Sequence, residues 1–134
     1  MLNSVTNSIS DKVYNRCKYV IEEIARMEAA CDHLLAGEID AFGKRMYETH
    51  KGLSELYEVS CTELDCIVEN CKKEKDIVGA RMMGGGFGGC VIALVQATKV
   101  EEIYNRINTA YQNKFGRNMG KYLMQIGDGT RLLD

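Results

Sequence analysis

Residues 81–91 read RMMGGGFGGCV, a run in which Gly84, Gly85, Gly86, Gly88 and Gly89 surround Phe87. On either side stand two short apolar stretches, IVGARMM and CVIALV, bounded by glycine and charge. Such stretches read as strands rather than helix, so the middle of the chain is predicted to be a pair of strands joined by a glycine turn. A two-residue hairpin needs at most a pair of glycines. Five exceed that need. Residues without Cβ permit positive φ and let another backbone or a ligand approach closely. The run is therefore read either as a flexible hairpin with Phe87 plugged into the core, or as backbone amides shaping a concave anion site of the nest type. The surplus of glycines favours the second.

Two familiar phosphate loops are excluded by context. Gly84, Gly86 and Gly89 formally satisfy G-x-G-x-x-G, but that fingerprint works where a strand runs into a helix whose N-terminal amides meet the phosphate. Here CVIALV follows. No Lys-Ser or Lys-Thr succeeds the glycines, so the run is not a Walker loop either.

Helical spacing governs the rest. Apolar residues at Val13, Cys17, Val20, Ile21, Ile24, Met27, Cys31, Leu34 and Leu35 predict an amphipathic helix that Gly37 ends as a left-handed cap. Ile39, Phe42, Met46, Leu53 and Leu56 predict a second, with Gly52 leaving room for a kink. Ser60 and Glu63 stand as a capping box before a third helix, and Thr98 and Glu101 as another before a fourth that stops at Gly116. The predicted helices cover about 13–36, 38–57, 61–74 and 99–115, and the strands about 77–83, 90–96 and 121–126. A polar segment, 1–12, precedes a single α+β domain over 13–134. The absence of proline suits long uninterrupted helices.

Composition narrows the function. A net charge of −2 with interspersed signs lacks the basic stripe of a nucleic-acid binder. No apolar run approaches the roughly 20 residues that span a bilayer, and MLNSVTNSISDK lacks a secretory core, so the expected setting is cytoplasmic. The six cysteines contain no CxxC pair, and only His33 and His50 are available beside them, so buried reduced thiols are expected rather than a metal site. His50 reads as a structural histidine, Glu63 and Asp65 as favourable helix N-terminal charge, and Tyr57 and Tyr122 as packing residues.

The motif GARMMGGGFGGCVIALV closely resembles the C-terminal glycine motif of the GHMP small-molecule kinases, and of their galactokinase branch in particular. FGKRMYETHKGLSELYEVSCTELDCIVENC is similar to the stretch in which Thr49 and His50 lead into Tyr57 to Asp65, and CKYVIEEIARMEAA and KYLMQIGDGTRLLD resemble the preceding helix and the closing strand. The resemblance implies a ferredoxin-like second domain, with a small antiparallel sheet packed by helices. It also implies ATP, magnesium and galactose as ligands of a whole enzyme that phosphorylates the anomeric hydroxyl. No segment resembles that family's serine-rich phosphate loop, and the catalytic aspartate and arginine belong to earlier parts of a full kinase. The chain alone is thus expected to be inactive, to bind no cofactor tightly, and to need an N-terminal kinase domain.

By this resemblance Gly84, Gly85, Gly86, Phe87, Gly88 and Gly89 line the cleft, with Phe87 anchoring the turn; Met83 and Arg81 form a second tier. Met83 stands where the family commonly has threonine. Arg81 is left open between a phosphate, an interdomain carboxylate and solvent. Rival readings are a noncatalytic sugar-sensing or interaction module, and a kinase for another sugar such as N-acetylgalactosamine. An apolar face left by the missing partner is expected to drive homo-oligomerisation.

Overall fold

The computed structural model describes residues 9–127 together with Gly129 and Leu132. In chain order the elements are α1 (Asp11–Leu35), α2 (Ile39–Glu55), α3 (Thr62–Cys71), β1 (Ile77–Met83), β2 (Cys90–Val95) and α4 (Val100–Phe115), the last entered through a 3-10 turn at Ala97–Lys99. Most of the predicted polar segment, residues 1–8, lies outside the described residues. Helix α1 begins as Ser10 accepts a hydrogen bond from the Val13 N–H at 3.4 Å. Gly37 and Gly116 take left-handed φ of 73° and 69° and close α1 and α4 as their positions predicted.

Strands β1 and β2 form a two-stranded antiparallel sheet in which Gly79 faces Leu94, Arg81 faces Ile92 and Met83 faces Cys90. A pair of strands alone is marginal in water; here helices cover it. Val68 and Cys71 of α3 and Ile103 and Ile107 of α4 pack with Ile77 and Ala80 as the main core. On β1, α2 makes a backbone-to-backbone approach: a Cβ at Gly43 would stand 2.1 Å from the Val78 carbonyl oxygen, and one at Gly79 would stand 2.6 Å from Gly43 Cα. The strand register slips between Ile77 and Gly79, at this same contact.

Several expectations are corrected. Both capping boxes fail: α3 starts behind Cys61 without a side-chain cap, because Ser60 Oγ donates to Asp65 Oδ1 (2.6 Å) and Glu63 pairs with Arg117 (2.9 Å). Thr98 lies within the 3-10 turn, and Glu101 pairs with Lys121 at 2.5 Å. Gly52 marks no break in α2; a Cβ there would stand 2.5 Å from the Tyr19 ring, so its role is to seat α1 on α2. Residues 121–126 form no strand and pair with neither β1 nor β2 among the described residues, and Tyr122 is 82% exposed rather than packed. Of the cysteines Cys71 is buried, with burial pushing its thiol up to about 12, while Cys17, Cys31 and Cys90 are exposed.

Candidate functional site

The glycine run forms the loop between β1 and β2. Gly84, Gly86, Gly88 and Gly89 all take positive φ, as does Phe87 at 57°, a conformation that costs a non-glycine residue about 1 kcal/mol or more. What holds the loop is backbone, not the phenylalanine ring: the Phe87 N–H donates to the Val59 carbonyl at 2.7 Å. A Cβ on Gly86 would stand 2.2 Å from that same oxygen. Phe87 itself is 79% exposed, which overturns its predicted place as core plug and anchor. The physical reason is the turn: a residue at the tip with left-handed φ directs its side chain outward while its amide points back to Val59.

Gly84, Gly85 and Gly88 meet nothing within 4 Å of where a Cβ would stand, so this side of the loop is open. Met83 ends β1 half-exposed beside it. Arg81 lines a groove between α1 and α2 with Tyr19, Glu23 and Thr49, and its guanidinium donates to the Met82 carbonyl at 3.2 Å. The structure therefore groups Arg81 with α1 and α2, two residues before β1 ends at Met83.

Beneath the loop lies a polar network that sequence reasoning divided among unrelated roles. The Met82 N–H donates to His50 Nδ1 at 3.2 Å, which puts the ring proton on Nε2, 3.2 Å from Asp65 Oδ1. Ser54 and Ser60 hydroxyls donate to the two oxygens of the same carboxylate at 3.1 and 2.6 Å. Asp65 is thus more than helix N-terminal charge. It ties α2, α3 and the segment carrying Val59 to the end of β1, and so fixes the carbonyl on which the glycine loop rests. The order serine, aspartate, histidine, backbone amide leaves no activated nucleophile, so the network is a brace. The sequence signal was the pairing of Thr-His with YEVSC, but only the fold shows that these meet at Met82.

Burial lowers the His50 pKa below its ordinary 6.5, against the opposing pull of Asp65. The folded state therefore holds the neutral ring, and the unfolded chain takes up the proton first as pH falls. Stability from this site is complete above 6.5 and is lost as pH falls through the depressed folded value. Denaturant titrations across mildly acid pH are expected to show this loss, and His50→Gln to flatten that part of the profile.

The kinase family implies ATP and magnesium. Among the described residues no group of three or more His, Cys, Asp or Glu side chains is placed to hold a metal ion, so no step through magnesium is assigned to this chain. The side of the loop left open at Gly84, Gly85 and Gly88 has room for close approach, yet the loop brings no lysine or arginine of its own.

The family described as GHMP kinases C terminal matches residues 21–113, and the chain belongs to it. Its relatives specify the branch. It is 36% identical over 132 residues to human galactokinase and 38% identical over 120 residues to galactokinase of Clostridium tetani, covering 98% and 90% of the chain. The solved structure of Lactococcus lactis galactokinase complexed with galactose matches 96% of the chain with a TM-score of 0.89 and 32% identity. The chain spans about a third of each of these relatives, 33% of the human and Lactococcus lactis chains and 31% of the Clostridium tetani chain. Among the described residues no helix is long and apolar enough to cross a membrane.

Proposed function

We propose that this chain serves as the C-terminal domain of a galactokinase-type sugar kinase, acting in the cytoplasm together with an N-terminal kinase part. The whole enzyme transfers the γ-phosphate of ATP to the anomeric hydroxyl of galactose, with magnesium neutralising the phosphates when bound. The observation that carries this reading is the glycine loop itself, clamped through Gly86 and Phe87 to Val59 and open at Gly84, Gly85 and Gly88, in a chain whose relatives are galactokinases.

In this reading Gly84 to Gly89 form one wall of the cleft and exclude water beside the phosphates. A wall of backbone without Cβ atoms admits close approach, and its amides favour negative charge. The His50 brace keeps that wall at a fixed position, which matters because phosphoryl transfer depends on positioning more than on covalent help from the protein. Met83 adjoins the wall at the end of β1, while Arg81 faces the groove between α1 and α2. The sugar and the nucleotide rest mainly on the other part of the enzyme.

The isolated chain is accordingly expected to show no galactose-dependent ADP release from ATP. A coupled assay measures this, and clear turnover by the chain alone would overturn the reading.

A further inference from the structure

The glycine loop is held at two points, and one carboxylate stands behind both. Its root is Met82, fully buried next to the end of β1, whose N–H donates to His50 Nδ1 at 3.2 Å and whose carbonyl accepts from Arg81 at 3.2 Å. Its middle is the Phe87 N–H on the Val59 carbonyl at 2.7 Å. Asp65 Oδ1 lies 3.2 Å from His50 Nε2 on the first path, and on the second it accepts from Ser60, the neighbour of Val59, at 2.6 Å. The two points differ in kind. The clamp at Phe87 joins two backbone groups and holds no titratable atom, whereas an imidazole nitrogen accepts a hydrogen bond only while it carries no proton.

A proton on Nδ1 would set one N–H against another, the ring's against that of Met82. Met82 and His50 are 0% and 4% exposed, so neither donor has water at hand in place of the other. Uptake of the proton and departure of the amide are therefore one event. The charged ring keeps a partner, because Nε2 still donates to Asp65 and that bond strengthens when the ring is a cation. Burial opposes the charge and so does Lys72 at the C-terminal end of α3, while Asp65 and Glu69 of α3 favour it. From β1 the ring meets the neutral Met82 amide, with the Arg81 guanidinium on the carbonyl side of that residue.

We propose that His50 is a proton-operated latch on the root of the glycine loop. Protonation at Nδ1 frees the Met82 end, and the loop pivots on the Phe87–Val59 clamp, which stays closed. The event is local to the end of β1 and precedes global unfolding as pH falls. The latch rests on the geometry of the brace alone, and its control of phosphoryl transfer rests on the kinase reading above.

Nitrogen-15 NMR of the chain tests the latch. The His50 ring is expected to carry its proton on Nε2 above neutral pH and protons on both nitrogens in mild acid. Hydrogen exchange is read as protection relative to an unstructured chain. Protection of the Met82 amide is expected to fall by about tenfold for each pH unit on the approach to the His50 midpoint. There it should be lost while Phe87 and the core amide of Ile107 are still protected. His50→Asn leaves an amide oxygen near the place of Nδ1 that does not titrate, and is expected to make Met82 protection independent of pH over that range. The wild-type measurements decide without this variant if it does not fold. A Met82 amide that loses protection only together with Ile107 would overturn the proposal. So would a neutral ring with its proton on Nδ1, or a Met82 profile that His50→Asn leaves unchanged. In a whole kinase containing this chain, kcat is expected to fall in step with Met82 opening. A kcat indifferent to His50→Asn, beside a working latch in the NMR measurement, would fail the cleft-wall reading and leave the latch standing.

Discussion

Gly43→Ala is expected to destabilise the chain by about 3 kcal/mol or more, enough to consume a large share of a typical domain's stability. The added methyl would stand 2.1 Å from the Val78 carbonyl oxygen and 2.6 Å from its carbonyl carbon. Both are backbone atoms, so no rotamer change relieves the clash. Either α2 must lift from β1 or β1 must shift, and β1 holds Ile77, Ala80 and Met82 in the two buried clusters. Lifting α2 would also draw His50 away from the Met82 amide. Gly37→Ala is the control, since Gly37 has φ of 73° but nothing within 4 Å of a Cβ, and its cost should be the strain of a left-handed alanine, about 1 kcal/mol. Urea unfolding of both variants measures the difference. Equal midpoints would mean that the α2–β1 approach yields at little cost.

Gly86→Ala is expected to cost about 2 kcal/mol or more and to disable the loop. Here two penalties coincide, φ of 87° and a Cβ 2.2 Å from the Val59 carbonyl oxygen. Gly84 has the same φ of 87° with open space around it, so Gly84→Ala isolates the first penalty. The difference between the two variants reads the clamp on Val59 alone. On the proposed reading of the loop as a cleft wall, the same change within a whole kinase is expected to lower turnover by more than Gly84→Ala does, because it displaces the loop from Val59. A Gly86→Ala loss no greater than that of Gly84→Ala would show the clamp to be soft.

The sequence made most of the secondary structure legible because periodicity is local. A four-three apolar spacing gave α1 its limits to within two residues at the start, and the change to β-branched runs located β1 and β2. Where expectation and structure part, a partner from far along the chain had decided. Ser60 had two acceptable uses, a backbone amide of α3 or the carboxylate of Asp65, and nothing local says that His50 and Ser54 already gather at that carboxylate. The strand expected at 121–126 had a suitable sequence, yet strand formation needs a partner edge, and this segment pairs with neither β1 nor β2 among the described residues. Phe87 had the composition of an anchor, and the conformation of its own backbone sent it outward.

The apolar stripe of α1 shows the same limit from the other side. Its periodicity predicted a helix with a face to bury, and the residues of that face are those named from the sequence. Only the packing showed that Tyr19 docks on Gly52 and that Glu23 and Thr49 bond at the contact with α2, which leaves Val20, Ile24, Met27, Cys31 and Leu34 to line an open groove beside Phe42 and Met46.

By itself the sequence determined the helices, the two strands and the need for glycine between them, since propensity, spacing and φ are properties of short stretches. The tertiary structure alone decided what each feature is for. Gly43, Gly79, Gly52 and Gly86 look alike as letters, and what sets them apart is which backbone or ring lies within reach of the missing Cβ, a distance that exists once distant segments have met, with a left-handed φ added at Gly86.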